Sequence, residues 1–219
     1  SRDDLDPHKR LSISIGKFLV GEDVNLLDSI PHKWLRLGDL VLFPESSFSG
    51  EKWSTVVTID GFWESIAEAL SVNRIGRQAK IDSGIMRKSN AEMLLGENGW
   101  VEHKEHGVTY CFDVTKVMFS AGNISERGYT GKLDAEGETV VDLFCGIGYY
   151  SLPLLVNAKV SHVHACEINP DSIEALRAGL KENDVEDRCT IHEGDNQIAA
   201  LKLEGVGDRV LLGLLPSSE

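Results

Sequence analysis

The amino-acid sequence predicts an α/β protein in which a parallel-sheet domain at residues 116–219 follows a smaller α+β domain at residues 1–115. From residue 139 onward, short apolar runs alternate with helical segments, which is typical of βαβ units. A glycine turn follows the first of these runs, in the stretch VVDLFCGIGYY at residues 140–150. Acidic residues follow the next two runs, where the ends of neighbouring strands would meet.

The composition sets the broad class of the protein. The chain has 219 residues, of which 42% are apolar and 26% charged, as in ordinary globular proteins. A net charge of −13 argues against a surface that is basic all over, although a local basic patch stays open. The four cysteines form no CxxC pair, so we expect no zinc site, no disulfide framework and a reduced cytoplasmic compartment. The charged start and the short apolar runs predict neither a signal peptide nor a membrane span.

Patterns in the first half of the chain are weaker. GDLVLFP at 38–44 predicts a short strand closed by proline, and the helical spacing of apolar residues at 61–72 predicts a helix. The alternation at 99–115 predicts a hairpin with its turn near Gly107. We place the domain boundary directly after this hairpin, before a polar and glycine-rich stretch at 118–132.

Residues 73–88 form a local basic stretch in this acidic chain. Their charge is 5 − 1 = +4, from one acid, Asp82, and five basic residues: Arg74, Arg77, Lys80, Arg87 and Lys88. Two interpretations stay open: a solvated loop, or a patch that contacts phosphates.

The second half shows four strand patterns with three helices between them. The clearest helix follows Asn169, which can cap it, while Pro170 suits its first position. A sheet of this class normally has about three strands more, so we expect a partial domain. The strand patterns are TVVDLF, HVHACEI, RCTIHEG and DRVLLGLLP, and the helix patterns are YYSLPLLVNA, NPDSIEALRAGLKEND and NQIAALKL.

Three predicted strand ends offer polar groups for a nucleoside. Asp142 precedes the turn at Gly146, where small residues let the backbone approach a ligand. Glu167 lies 21 residues past Gly146 and can accept hydrogen bonds from both ribose hydroxyls. Asp195 and Asn196 follow the third strand, where a carboxylate can accept from an adenine amino group.

The turn suits two kinds of nucleoside cofactor, a nicotinamide dinucleotide and S-adenosylmethionine. Ser151 occupies the third glycine position of the dinucleotide pattern, which weighs against close helix packing beside a pyrophosphate. Asp142 suits a cofactor with a cationic, amino-acid-bearing end, and Asp195 suits a nucleoside that ends at adenine. These details favour S-adenosylmethionine.

Several stretches together resemble the tRNA wybutosine-synthesising protein 2 family, which is related to the tRNA guanine-37 N1-methyltransferases. They are DVTKVMFSAGNISERG, VVDLFCGIGYYSLPL, CEINP, GDN and LLPSSE, with IPHKWLRLGDLVLFP and EMLLGENGWVEHKEHGVTYCFDVTK in the N-terminal half. The resemblance implies a Rossmann-like class I S-adenosylmethionine-dependent transferase domain, truncated after its fourth strand. It implies transfer of the 3-amino-3-carboxypropyl group to C7 of 4-demethylwyosine at position 37 of tRNA-Phe, with release of 5′-methylthioadenosine.

The same resemblance implies the partners and the site. We expect S-adenosylmethionine as co-substrate, the anticodon region of tRNA-Phe as partner, no metal, no membrane, a monomer and a cytoplasmic location. Arg127 would pair with the methionine carboxylate, and no residue stands out as a catalytic base. The expected cofactor-binding residues are Ser120, Arg127, Phe144, Gly146, Glu167, Asp195 and Asn196.

One departure bears on the alternatives. Leu214 stands where the sibling methyltransferases have an asparagine, and a leucine cannot hydrogen-bond a guanine edge. The departure weighs against guanine-37 N1-methylation, which stays the alternative function. A second alternative is a nucleotide-binding module without catalysis. Metal binding by His103 and His106 and a nucleophilic role for Cys145 are both disfavoured.

Overall fold

The computed structural model describes residues 6–79 and 91–213, which divide into two compact units. The first unit comprises the described residues as far as Val101, and the second begins at Glu102. The sequence placed the boundary after the hairpin, whereas here most of the hairpin belongs to the second unit. Within the described ranges, no helix is long and apolar enough to cross a membrane.

A four-stranded mixed sheet forms the centre of the first unit. Its strands lie in chain order, with β2 and β3 parallel and the outer pairs antiparallel. The predicted strand within GDLVLFP is confirmed as β2. The strands are β1 (Leu35–Leu37), β2 (Leu40–Phe43), β3 (Arg74–Arg77) and β4 (Glu92–Leu95).

Three α-helices and a 3₁₀ segment at Gly21–Ser29 accompany this sheet. The first helix was not predicted from the sequence, although two start signals are present. Asp6 caps it by accepting from the backbone N–H of His8 at 3.3 Å, and a proline occupies its first position. The helix predicted at 61–72 is confirmed as α3. The helices are α1 (Pro7–Gly16), α2 (Glu51–Val56) and α3 (Phe62–Leu70).

Aromatic rings fill the core of the first unit around Phe48. Its ring meets those of Phe43, Trp53 and Trp63 edge to face, with centroids 5.1–5.5 Å apart. The Phe62 ring lies 6.0 Å away in the same type of contact. Edge-to-face aromatic pairs add about 0.5–1.5 kcal/mol each beyond the area they bury. The first unit therefore has a hydrophobic core of its own.

The second unit contains a two-stranded hairpin and a four-stranded parallel sheet. The sheet has the order β10-β7-β8-β9, and the four strand patterns predicted from the sequence correspond to these strands, with β7 and β10 shorter than expected. The hairpin strands are β5 (Trp100–Glu105) and β6 (Val108–Asp113), and the sheet strands are β7 (Thr139–Asp142), β8 (His162–Glu167), β9 (Cys189–Glu193) and β10 (Arg209–Leu211).

Helices connect the parallel strands as predicted. Asn169 caps α6 by accepting from the backbone N–H of Asp171 at 3.0 Å, and Asp195 caps α7 by accepting from that of Gln197 at 2.8 Å. The polar stretch at 118–132, in which no helix was predicted, contains α4. The helices are α4 (Ile124–Thr130), α5 (Ser151–Val156), α6 (Pro170–Glu182) and α7 (Asn196–Lys202).

Asn183, just beyond α6, attaches the hairpin to the second unit. Its side-chain carbonyl accepts from the backbone N–H of Thr109 at 2.9 Å, and its amide donates to the carbonyl of Thr109 at 2.7 Å. The same amide donates to the carbonyl of Gly179 at 2.7 Å, near the end of α6. One side chain thus satisfies both backbone groups of a β6 residue, which explains why the hairpin belongs with the sheet domain.

We expect Asn183→Ala to lower the free energy of unfolding of the second unit by about 2 kcal/mol, because both backbone groups of Thr109 lose their partner. Lys181→Ala, on the exposed face of the same helix, is the matched control and should change stability by less than about 0.5 kcal/mol. Urea unfolding followed by far-UV circular dichroism measures both. Equal stabilities would show that the Asn183 hydrogen bonds do not hold the hairpin.

Candidate functional site

The strand order reverses at β7, which lies between β10 and β8. All three strands are parallel, and Asp142 at the end of β7 is in register with Leu211 of β10 and Ala165 of β8. Loops that leave β7 and its neighbours in opposite directions open a crevice at the carboxyl ends of the strands. In sheets of this type, ligands bind at that point.

The turn after β7 requires glycine at two positions. Gly146 has φ +56° and Gly148 has φ +96°, a region that side chains strongly disfavour. A Cβ on Gly148 would lie 2.8 Å from Cγ of Leu152 and 2.9 Å from Cδ1 of Leu176. The turn therefore packs closely against α5 and α6 even though Ser151, at the third glycine position, is a buried serine.

Glu167 joins this turn to the end of β8. Its Oε2 accepts from the backbone N–H of Gly146 at 2.9 Å. Its Oε1 accepts from the backbone N–H groups of Ile168 at 2.9 Å and Asn169 at 2.8 Å. An ionised carboxylate has about four acceptor positions, so one remains for a ligand hydroxyl while the turn is held. Glu167 lies where the sequence placed it.

Asp142 is a buried carboxyl beneath the turn. It accepts from the hydroxyl of Ser151 at 2.8 Å and from the backbone N–H of Phe144 at 3.2 Å. Burial raises the pKa of Asp142 to about 6; these two hydrogen bonds oppose the shift, and the charge of Glu167 adds to it. Among the described residues, no cation contributes to that pKa. The crevice is therefore negative at neutral pH and suits a cationic ligand.

The third strand end connects back to the first. The side-chain amide of Asn196 donates to the carbonyl of Leu143 at 3.3 Å, and the backbone N–H of Leu143 donates to the carbonyl of Leu211 at 3.2 Å. Asp195 is exposed and caps α7. Phe144 is half-buried beside the turn. Four of the predicted residues, Phe144, Gly146, Glu167 and Asn196, are thus brought together at one edge of the sheet.

Arg127 and Ser120 are connected by a buried network that the sequence reading missed. Two nitrogens of Arg127 donate to Glu105, Nε to Oε2 at 2.7 Å and Nη2 to Oε1 at 3.0 Å. Nη1 donates to the backbone carbonyl of Ser120 at 2.9 Å. Arg127 is 2% exposed, so its charge is neutralised within the protein. Its pairing with a ligand carboxylate stays a prediction.

Glu105 could have been found from the hairpin pattern, because it follows Val101 and His103 on the same face of β5. Burial would raise the pKa of Glu105, but hydrogen bonds from Arg127 and His103 outweigh it, and the pKa is lowered. His103 lies 3.0 Å from Glu105, through Nε2 and Oε1. Glu105 is therefore ionised at neutral pH.

The two described arginines of the basic stretch serve their own unit. Arg74 donates to both carboxylate oxygens of Asp39, at 3.2 and 2.6 Å, and to the carbonyl of Trp100 at 2.6 Å. Arg77 forms an ion pair with Glu92 and donates to the carbonyl of Ser47 at 2.9 Å. The remaining charged positions of that stretch lie outside the described residues: Lys80, Asp82, Arg87 and Lys88.

The described residues also bear on metal binding and on the reactivity of Cys145. Across 6–79 and 91–213, no group of three or more His, Cys, Asp or Glu side chains could hold a metal ion. Burial raises the pKa of the Cys145 thiol well above its usual value, which leaves it uncharged at neutral pH.

A parallel sheet that reverses its order at β7, a glycine turn at the reversal and an acid at the end of the next strand define a Rossmann-like nucleoside-binding domain. Residues 101–219 match the TRM5/TYW2 methyltransferase domain, and residues 19–99 match the TYW2 N-terminal domain. The chain belongs to the TRM5/TYW2 methyltransferase family.

Named relatives agree with this assignment. The chain is 52% identical over 194 residues to tRNA wybutosine-synthesizing protein 2/3/4 of Arabidopsis thaliana, covering 89% of this chain and 19% of that protein. It is 42% identical over 217 residues to the tRNA wybutosine-synthesizing protein 2 homolog of Homo sapiens, covering 97% and 48%. The chain thus spans about half the length of the human homolog.

Solved structures share the fold. P. horikoshii TYW2 in complex with MeSAdo has a TM-score of 0.72 and 32% identity, over 93% of this chain and 70% of that one. The complex of aTrm5 and tRNALeu has a TM-score of 0.68 and 25% identity, over 91% of this chain and 56% of that one.

We expect Gly148→Ala to destabilise the second unit by about 3 kcal/mol, because the methyl group adds steric overlap with Leu152 and Leu176 to the strain of positive φ. Gly137→Ala is the matched control: its φ is +81° and no atom lies within 4 Å of the added Cβ. Strain alone should cost this control about 1–2 kcal/mol. Denaturant unfolding of both variants tests the difference, and a Gly148 variant no worse than the control would contradict it.

We expect Asp142→Asn to remove a pH dependence of stability. Burial raises the pKa of this carboxyl to about 6 in the folded protein, against about 3.9 in an unfolded chain, so only the folded state holds the proton between these values. The free energy of unfolding therefore falls as the pH rises through this window, by roughly 3 kcal/mol. The variant, which keeps both hydrogen-bond partners, should be more stable than wild type at pH 8 and not at pH 4. Urea unfolding measures both proteins at both pH values. If the stability difference between the variant and wild type is the same at pH 8 and pH 4, Asp142 is not the group with the raised pKa.

Proposed function

We propose that this chain belongs to an enzyme that transfers the 3-amino-3-carboxypropyl group of S-adenosylmethionine to C7 of 4-demethylwyosine at position 37 of tRNA-Phe, releasing 5′-methylthioadenosine. This is an EC 2.5.1 transferase reaction of wybutosine biosynthesis. One observation carries the proposal. Residues 101–219 match the transferase domain that both branches of the family share, and residues 19–99 match the TYW2 N-terminal domain.

Guanine-37 N1-methylation is the alternative, because the transferase domain is common to both branches of the family. The solved M. jannaschii TYW2 and M. jannaschii tRNA m1G37 methyltransferase are 27% and 26% identical to this chain, so it is the match of residues 19–99 to the TYW2 N-terminal domain that favours the wybutosine branch. Leu214, in place of the asparagine of the sibling enzymes, favours the same branch, although it lies outside the described residues.

The order of the strands supports one assignment of the parts of the nucleoside in this proposal. In this assignment Asp195 and Asn196 at the end of β9 take the adenine, and Glu167 at the end of β8 takes one ribose hydroxyl at its remaining acceptor position. The sulfonium then lies over the turn after β7, next to Gly146 and Phe144. The two carboxylates beneath that turn, Asp142 and Glu167, attract the positive sulfur.

The two carboxylates attract the positively charged co-substrate more strongly than its neutral product. The sulfonium activates the three carbons bound to it, and the bond that breaks is the one whose carbon faces the nucleophile in line. C7 of the base bonds to the carbon of the aminocarboxypropyl arm, the carbon–sulfur electron pair stays on sulfur, and C7 loses its proton to solvent. The sulfur becomes a neutral thioether, so the attraction of Asp142 is lost and the product leaves more easily.

The macromolecular partner in this proposal is tRNA-Phe, bound near its anticodon. With a net charge of −13, the chain can attract RNA only through local basic surface. Lys80, Arg87 and Lys88 of the basic stretch are the candidates, since Arg74 and Arg77 are already paired. The proposal also includes contact between the N-terminal unit, which ends at Val101, and tRNA, together with a monomeric state and a cytoplasmic location.

The proposed reaction is tested by incubating the protein with S-adenosylmethionine and tRNA-Phe that carries 4-demethylwyosine. Methylthioadenosine should form, and mass spectrometry of the nucleosides should show the base enlarged by one 3-amino-3-carboxypropyl unit. Glu167→Gln should weaken S-adenosylmethionine binding about tenfold in calorimetry, because an amide offers one acceptor atom instead of two. Glu186→Gln, an exposed position before the amino end of β9, is the control and should bind as wild type does.

Each other outcome has its own meaning. S-adenosylhomocysteine as the only nucleoside by-product would support guanine-37 methylation in place of the proposed reaction. Wild-type protein that does not bind S-adenosylmethionine, with no change on Glu167→Gln, would support the non-catalytic nucleotide-binding module.

A further inference from the structure

The guanidinium of Arg127 is enclosed by groups from separate parts of the second unit. Glu105 of β5 neutralises it, and the Ser120 carbonyl accepts from it. It also lies over the Phe119 ring, 4.6 Å from the centroid, and 5.9 Å from that of Tyr110. A charge so placed holds the segment 118–123, which contains Ser120, against the hairpin.

The same segment also touches the glycine turn. The hydroxyl of Tyr149, one residue after Gly148, donates to the carbonyl of Met118. The rings of Phe119 and Tyr149 are 6.1 Å apart, and the Tyr110 hydroxyl donates to the carbonyl of Tyr149 at 3.2 Å. Segment 118–123 is therefore held between the network of Arg127 on one side and the turn on the other.

Strand order places the end of the ligand next to this segment. If adenine lies at β9 and ribose at β8, the remaining part of S-adenosylmethionine is its amino-acid arm, which starts over the turn after β7. That turn includes Tyr149, the residue that contacts Met118 and Phe119. Segment 118–123 thus contacts the turn over which the arm would start, whereas the adenine is assigned to the end of β9.

We propose that Arg127 is a positioning residue for the amino-acid arm of S-adenosylmethionine, and that it acts with Glu105 by fixing segment 118–123 against the glycine turn. The proposal rests on the proposed function, since it needs this co-substrate. It differs from the prediction made from the family resemblance, in which Arg127 itself binds the methionine carboxylate.

The geometry explains why arginine is needed. Three separate nitrogens of Arg127 donate, two to Glu105 and one to Ser120. A lysine has a single side-chain nitrogen. It can pair with Glu105 or donate to the Ser120 carbonyl, but it cannot make all three hydrogen bonds at once with proper geometry. Arg127→Lys therefore keeps the charge and loosens the segment.

Glu105→Gln separates positioning from direct contact. If Arg127 binds the ligand carboxylate directly, removing the competing charge of Glu105 frees the guanidinium, and S-adenosylmethionine binds as tightly as before or more tightly. If Arg127 acts through segment 118–123, the loss of Glu105 loosens the network and weakens binding as Arg127→Lys does.

The experiment compares calorimetric affinities for S-adenosylmethionine and adenosine in wild type, Arg127→Lys, Glu105→Gln and the control Glu126→Gln, an exposed position on α4. Adenosine lacks the amino-acid arm. In both network variants, S-adenosylmethionine affinity should fall at least about tenfold and adenosine affinity less than about threefold, while the control matches wild type. Thermal unfolding identifies variants that fail to fold; for these, Tyr149→Phe, which loses the hydrogen bond to Met118 and leaves Arg127 and Glu105 intact, replaces them with the same expected result.

Three results overturn the inference. Equal losses for both ligands indicate a purely structural role, and unchanged or tighter S-adenosylmethionine binding in Glu105→Gln indicates direct contact. If wild type binds neither ligand, the proposed function fails, and hydrogen exchange then decides whether Arg127 positions the segment. Arg127→Lys should speed amide exchange at 118–123 and 146–149 but not in β7 and β8, and unchanged exchange there overturns the positioning role.

Discussion

The hydrogen bond between the backbone N–H of Gly146 and the carboxylate of Glu167 is the interaction on which the crevice depends. It connects the turn after β7 to the end of β8. Through Leu143, which donates to Leu211 and accepts from Asn196, the ends of β10 and β9 join the same chain of hydrogen bonds. Four strand ends are therefore fixed relative to one another before any ligand binds, so that little ordering free energy remains to be supplied on binding.

Elements with strong local signals could be predicted from the sequence, and two of the helices that were not predicted, α1 and α4, show what was lacking. For α6, a cap, a proline and a regular apolar face agree. For α1, the cap and the proline are present, but the helix is mostly polar and only Leu11, Ser14 and Ile15 are buried. Helix α4 contains a glycine and few apolar residues, and its stability depends on the contact between Arg127 and Glu105, which are 22 residues apart. No local pattern reports such a partner.

The candidate site also has a part that could be predicted from the sequence and a part that could not. Glu167, Gly146 and Asn196 could be located because parallel strands end at one edge of a sheet, so that position along the chain fixes position in space. Arg127 was recognised as important, but its surroundings were not predictable, because they depend on a hairpin strand that docks onto α6. The sequence therefore predicts which residues line the crevice better than it predicts which residues hold them.

Asn183 has a consequence for the cooperativity of the second unit. Because its side chain pairs with both backbone groups of Thr109, the end of α6 and the hairpin must open together. The hairpin carries Glu105, so the same local opening also withdraws the partner of Arg127. A polar residue at the end of a surface helix thereby sets how often the amino-acid end of the crevice loses its shape, although it contacts neither the crevice nor the buried ion pair.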